Sequence, residues 1–205
     1  MKNNKIIITV IGIGYIGLPV SLNFSKYFQT IAFDNDSKRI NELKNGFDRN
    51  LDHKKKEITS KRLNILFTEK HENLNNANIF IICVPTPIFK SKKPNLNMLK
   101  QASKLVSTKL KKNDIVIYES TVYPGCIEEK CVPILEKYSK LKFNKNFFCG
   151  YSPERINPGD KNHTISKIKK VTSGSNNDIA DLVDNLYSEI ISVGTYKASN
   201  IKVAE

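Results

Sequence analysis

Short apolar runs of strand length alternate along this chain with stretches in which apolar residues recur at helical spacing. Lys5–Ile11 is a β-branched run that stops at a glycine, and Tyr15–Tyr27 carries Ile16, Val20, Phe24 and Tyr27 at the helical period. Ile31–Phe33 predicts a second strand. Ser37–Asn45 predicts a second helix, with Asp36 or Ser37 as N-cap and Gly46 as stop. Further strands are expected at Ile65–Phe67, Ile79–Val84, Asp114–Tyr118, Phe147–Tyr151, Lys170–Ser173 and Ile190–Val193. Further helices are expected at Leu96–Leu110, from Gly125 to Tyr138, and at Asn177–Ser188. Ile79–Val84 is apolar throughout, the pattern of a strand buried on both faces, and Pro85-Thr86-Pro87 ends it. The polar stretches Leu51–Ser60 and Phe89–Pro94 read as loops. The closing KASNIKVAE reads as a helix that has only begun. Strand and helix in alternation imply an α/β fold, a doubly wound, mostly parallel sheet with helices on both faces.

Between the first strand and the first helix stands Gly12-Ile13-Gly14-Tyr15-Ile16-Gly17, the G-x-G-x-x-G spacing within a βαβ unit. Gly12 permits a tight turn, Gly14 lets the backbone approach a pyrophosphate, and Gly17 lets the helix pack against the strand. The phosphates would rest at the positive end of the helix. Asp34 ends the second strand, where a carboxylate accepts ribose hydroxyls and repels a 2′-phosphate, which favours NAD over NADP. Arg39, one turn into the next helix, has three readings: attraction of that phosphate, stacking on adenine, or a phosphate bridge. The fold expected is therefore Rossmann-like. Ligands of such sheets lie beyond the carboxyl ends of the strands. That rule selects Thr86 in Pro85-Thr86-Pro87, Ser120-Thr121, and the loop Tyr151–Asp160 with Glu154. The bland alternatives are turn capping for Thr86 and Thr121 and a solvated loop carboxylate for Glu154.

Charge changes the picture little. The net charge is +13, yet the lysines are spread along all 205 residues and only Arg39, Arg49, Arg62 and Arg155 are arginine. The densest run, His53–Glu57, has no interleaved aromatic residue for base stacking. Lys, Asn and Ile enrichment accounts for the charge without a nucleic-acid partner. The chain has no apolar run of membrane-spanning length, and the N-terminus reads as a strand and its turn, so neither membrane nor secretion is expected and the location expected is cytoplasmic. The four cysteines match no zinc spacing and no C-x-x-C pair, so no metal is expected. Cys83 and Cys149 fall in strands as small core residues. Cys126 and Cys131, five apart, fall on different faces of an α-helix.

The ordered segments VIGIGYIGLP, FDND with Arg39 after it, CVPTP, ESTVYPG and SPERINPGD resemble the nucleotide-sugar 6-dehydrogenases of the UDP-glucose/GDP-mannose dehydrogenase superfamily, over essentially the whole chain. YSPERINPGDK with STVYPGC is similar to the branch acting on UDP-N-acetylhexosamines, which makes uronates for capsule and O-antigen polysaccharides. The resemblance implies oxidation of the sugar C6 alcohol to a carboxylate by two NAD molecules in succession, through a cysteine thioester. It implies that Gly12, Gly14, Tyr15, Ile16 and Gly17 hold the pyrophosphate and that Asp34 and Arg39 hold the adenosine end. It implies that Thr86 and Thr121 contact the nicotinamide half, Thr121 also lying near the reacting carbon. Glu154 would position water or assist proton transfer, and Arg155 would lie close to the substrate. Ile156-Asn157-Pro158 stands where some branches carry a second acid.

The resemblance also places the family's nucleophilic cysteine, and the Lys and Asn of its oxyanion site, beyond Glu205. The expected organisation is an NAD-binding domain over 1–195 and, over 196–205, the start of a central helix leading to a substrate domain outside this chain. The full-length protein is expected to be a homodimer, and these residues alone are expected to be inactive in the full oxidation. The competing readings are a stand-alone, non-catalytic NAD-binding or interaction module and, with less support, a basic nucleic-acid-binding protein.

Overall fold

The computed structural model describes residues 5–154 and 168–205. Its elements in chain order are β1 (Ile7–Ile11), α1 (Gly17–Phe24), β2 (Gln29–Phe33), α2 (Ser37–Lys44), α3 (Lys55–Ile58), β3 (Ile65–Thr68) and β4 (Ile79–Ile82). There follow α4 (Asn97–Ser107), β5 (Ile115–Tyr118), α5 (Val132–Ser139), β6 (Phe148–Tyr151), β7 (Lys170–Gly174), α6 (Asn177–Ser188), β8 (Thr195–Lys197) and α7 (Ile201–Ala204). The strands form one sheet in the order β3-β2-β1-β4-β5-β6-β7-β8. All neighbours are parallel except β6 and β7, which pair antiparallel with Gly150 opposite Gly174. The strand order reverses between β1 and β4, which opens a crevice at their carboxyl ends.

The central strands are apolar on both faces because both faces are covered. Ile79 and Ile81 of β4 and Ile115 and Ile117 of β5 point into one layer, against Leu18, Phe24, Ile40, Val183 and Tyr187 of α1, α2 and α6. Phe80 and Ile82, Val116 and Tyr118 point into the other, against Leu99, Val106 and Leu135 of α4 and α5. The period-two alternation within each strand thus splits one apolar run between two cores. Asp36 is the N-cap of α2, accepting from the N–H groups of Lys38 and Arg39. No helix among the described residues is long and apolar enough to cross a membrane.

The structure departs from the pattern in several places. The apolar pair Ile190-Ile191 is not a strand. It is buried against the α6 layer just beyond the helix, and the chain turns at Gly194 (φ +85°) before pairing as β8. The expected domain limit at residue 195 therefore falls at the first residue of that strand. Within the stretch expected as a loop, Lys55–Ile58 forms a short helix, which buries Ile58. Helix α1 is shorter than Tyr15–Tyr27, because Tyr15 and Ile16 belong to the glycine turn.

Asp114 heads β5, where its Oδ2 accepts the N–H of Lys111 at 2.7 Å. Burial pushes its pKa from 3.8 up to about 6, against the pull of that N–H and of the Lys111 ammonium. The folded chain therefore keeps a proton on Asp114 in a range where the unfolded chain has released it, and stability falls as pH rises through about 4 to 6. Asp114→Asn removes the titration while keeping an acceptor. Urea unfolding near pH 4 and near pH 7 should show the variant gaining on the parent chain at the higher pH; an unchanged difference would contradict the assignment.

Candidate functional site

At the end of β1 the chain turns at Gly12, with φ +90° and its N–H donated to the Phe33 carbonyl at 2.9 Å. A Cβ at Gly17 would stand 1.9 Å from the Gly12 carbonyl oxygen, so α1 packs against the turn at a distance that only glycine allows. Gly14 is different. It is exposed, and a Cβ there would meet nothing within 4 Å. Protein packing does not demand a glycine at this point, whereas a ligand lying on the backbone does. The first turn of α1 has no side-chain cap and no acidic residue, so the positive end of its dipole faces that space unneutralised. The residues present fit a pyrophosphate.

Asp34, at the end of β2, accepts the N–H of Ile13 on Oδ2 at 2.8 Å and that of Asp36 on Oδ1 at 3.0 Å. Each carboxylate oxygen keeps a further lone pair for a ribose hydroxyl. Arg39 lies 3% exposed beneath the same turn. Its Nε donates to the Ile13 carbonyl at 2.8 Å, its Nη1 is 2.8 Å from Asp48, and Nη2 makes no hydrogen bond within the protein. Asp48 in turn accepts the N–H groups of Asn50, Asp52 and His53, which fixes the following loop. The open pocket above is lined by Ile13, Gly14, Tyr15, Asp34, Asp36, Arg39, Arg49 and Asn50. Sequence reasoning missed Arg49, which bridges Asp36 at 2.9 Å and Glu42 at 2.6 Å on the rim. The N–H of Arg39, the Arg49 guanidinium and the N–H of Lys38 hold the Asp36 carboxyl below its usual range.

The ends of β4 and β5 are tied together. Thr86 donates its hydroxyl to the Thr121 carbonyl at 2.6 Å, and Ser120 donates to the Val84 carbonyl at 2.6 Å. Glu154 follows β6, and its side chain is only 5% exposed, which rejects the solvated-loop alternative. Its Oε2 lies 2.8 Å from the Lys170 ammonium, which is also 2.7 Å from Glu119 Oε2. Tyr187 donates its hydroxyl to the other Glu119 oxygen. Burial raises the Glu119 pKa, and Lys170 pulls it back part of the way. For Lys170, burial favours the neutral amine, but the two carboxylates outweigh it and the pKa is raised. Glu119, Lys170 and Tyr187 were not among the sequence candidates. The signal for Glu119 and Lys170 is a charge at the end of a buried strand, which demands a partner. Arg155 lies outside the described residues.

All four cysteines are buried and free. Burial pushes the thiols of Cys83 and Cys149 well up, so neither is a ready nucleophile. Cys126 and Cys131 do not lie on different faces. The chain makes a π turn over Ile127–Cys131, and both side chains are buried in the same core. Just outside that turn the Glu205 carboxylate of α7 accepts the N–H groups of Gly125 and Ile127.

Removing one member of a buried ion cluster strands the rest. Lys170→Met removes the ammonium that Glu119 and Glu154 share and should cost about 3–5 kcal/mol of stability by urea unfolding at neutral pH. Lys170→Arg should recover part of it; a loss within the scatter of surface substitutions would contradict the cluster.

The family model for the NAD binding domain of the UDP-glucose/GDP-mannose dehydrogenase family matches residues 6–191. A UDP-N-acetyl-D-glucosamine 6-dehydrogenase of Salmonella typhi is 53% identical over 202 residues, covering 98% of this chain and 47% of its own length. One of Pseudomonas aeruginosa is 54% identical over 205 residues, covering 100% of this chain and 48% of its own. The structure of a UDP-D-ManNAc dehydrogenase from Pyrococcus horikoshii matches with a TM-score of 0.85 at 30% identity, over 98% of this chain and 48% of that one. The chain spans about half the length of the curated relatives it matches. The group that the glycine turn fits is therefore NAD. The chain belongs to the UDP-glucose/GDP-mannose dehydrogenase family, and residues 6–191 are its NAD-binding domain.

Proposed function

We propose that this chain is the NAD-binding portion of a nucleotide-sugar 6-dehydrogenase that oxidises C6 of a UDP-N-acetylhexosamine to the uronate, in the cytoplasm, for capsule or O-antigen synthesis. The observation that carries the reading is convergence. The glycine turn, Thr86, Thr121 and Glu154 follow β1, β4, β5 and β6, four neighbouring strands of the sheet, each at its carboxyl end. The names of the relatives at 53% and 54% identity support the acetamido sugar. A Staphylococcus aureus relative named Protein CapL, 50% identical over 201 residues, supports a capsule role.

Bound NAD supplies the hydride acceptor. This chain's residues bind and orient. Gly12, Gly14, Tyr15, Ile16 and Gly17 seat the pyrophosphate, Asp34 accepts the ribose hydroxyls, and Arg39 braces the turn from below while walling the pocket. Thr86 and Thr121 border the nicotinamide half. Glu154, held by Lys170, presents an acceptor for a water or a sugar hydroxyl, and Arg155, outside the described residues, is assigned to the substrate on the family resemblance alone. The step from aldehyde to acid needs a thiol, and each of the four cysteines here is buried. That step belongs to the whole protein, which we take to act as a homodimer without a nucleic-acid or membrane partner.

Calorimetric titration of this chain should give tighter binding of NAD than of NADP. Asp34→Ala should weaken NAD by about 1.5–3 kcal/mol, the range for a hydrogen bond to a charged group. Equal affinity for the two dinucleotides would overturn the assignment of Asp34. Given NAD with UDP-N-acetylglucosamine or UDP-N-acetylgalactosamine, the same preparation should accumulate no reduced cofactor over repeated turnover; sustained reduction would show that one of these cysteines is the nucleophile after all.

A further inference from the structure

Tyr123-Pro124-Gly125-Cys126 is a β-turn closed by the N–H of Cys126 on the Tyr123 carbonyl at 3.0 Å, with proline before a Gly125 at φ +91°, the arrangement of a type II turn. That one hydrogen bond uses the N–H of Cys126, so the N–H of Gly125 has no acceptor inside the turn. Ile127 follows in the first turn of a helix, where N–H groups also lack partners. Gly125 and Ile127 are both buried, so their N–H groups need acceptors from elsewhere in the chain. Glu205 supplies both. The N–H of Ala198 donates to the Thr172 carbonyl at 2.8 Å, Asn200 caps α7, and Ile201 anchors that helix in the core. Residues four apart share a helix face, so the burial of Ile201 turns Glu205 inward as well, while Lys202 and Val203 stay exposed. One Glu205 carboxylate oxygen accepts the N–H of Gly125, and the other accepts that of Ile127 at 2.8 Å. Its charge faces the positive end of the helix that starts there. The other end of the same loop is held by Thr86, which donates to the Thr121 carbonyl, and by Ser120, which donates to that of Val84. The cofactor and sugar roles above do not use Glu205.

We propose that Glu205 is the positioning residue of the Thr121–Gly125 loop, its carboxylate holding the far end of the segment whose near end Thr86 holds. The role rests on the reading that the nicotinamide half of NAD borders Thr121. Thr121 itself is exposed, so its place at the crevice is set by the backbone on either side of it. Gly125 lies four residues further on, and between them Val122 is buried and Pro124 has its φ locked by its ring. A fixed Gly125 therefore fixes Thr121. Without the carboxylate, two buried N–H groups lose their acceptor at once, which favours an opened turn in which water satisfies them. Glu205 touches neither cofactor nor sugar in this account and acts through the loop. The same contact ties α7, which packs on β6 and β7, to the crevice.

The test follows the backbone amides of the ¹⁵N-labelled chain, first alone and then with NAD. In Glu205→Ala the amide protons of Gly125 and Ile127 should move upfield and exchange with solvent about tenfold faster or more, the loss of a hydrogen bond to a charged group. Glu205→Gln, which keeps an acceptor oxygen without the charge, should recover part of that protection. Lys202→Ala, on the exposed face of the same helix, should leave both amides as they are. On titration with NAD, Glu205→Ala should still saturate at Gly14, Tyr15 and Ile16 while losing the shift at Thr121 that the parent chain shows. Unchanged exchange at Gly125 and Ile127 in Glu205→Ala, or a Thr121 response equal to that of the parent, would overturn the proposal and leave the NAD reading intact. A parent chain in which Thr121 does not respond to NAD would overturn that reading, and the positioning role with it.

Discussion

The approach of helix α1 to the end of strand β1 is the constraint on which the site depends. With 1.9 Å between the Gly12 carbonyl oxygen and the place where a Gly17 side chain would begin, no other residue lets the helix start there. That start decides where the positive end of the helix dipole points and how much backbone lies open at Gly14. The sheet supplies the other half of the geometry. Because β1 and β4 are neighbours while their connections diverge, the loops after β1, β4, β5 and β6 gather at one edge, along which we propose that the dinucleotide lies.

Buried charge fixes both ends of this arrangement. At one end, Arg39 and Asp48 pair beneath the turn, and Arg39 holds the Ile13 carbonyl while Asp34 holds the Ile13 N–H, so one residue of the glycine turn is gripped on both sides. At the opposite end, Lys170 between Glu119 and Glu154 joins the start of β7 to the ends of β5 and β6. Buried ion pairs gain little net stability over apolar packing, because desolvation offsets the attraction. What they give here is orientation: each cluster fixes a polar group at the crevice that apolar packing alone would leave free to turn.

The parts of this molecule legible in its sequence are those set by local pattern. The alternation of apolar runs marks seven of the eight strands among the described residues within a residue or two, and the glycine spacing with Asp34 marks the crevice, because turn, helix start and carboxylate all lie in one βαβ unit. The parts that were not legible depend on residues far apart or on a shift of one position. The role of Arg39 as a brace follows from Asp48, and the lysine cluster needs residues 119, 154, 170 and 187 to meet. The π turn over Ile127–Cys131 adds one residue to a helix whose apolar period looks ordinary, so an α-helical spacing sets Cys126 and Cys131 on different faces. Ile190-Ile191 has the composition of a strand, but its burial beside α6 comes from tertiary packing, and the strand forms after Gly194 instead.

The central claim is that one dinucleotide lies across the strand ends from the glycine turn to Thr121. Titrating the ¹⁵N-labelled chain with NAD and following its backbone amides tests it most directly. The account predicts saturable shifts at Gly14, Tyr15, Ile16 and Asp34, accompanied at the same ligand concentration by shifts at Thr86 and Thr121. Shifts confined to the lysine-rich stretch His53–Glu57, or shifts at the glycine turn with Thr86 and Thr121 unmoved at saturation, would contradict it.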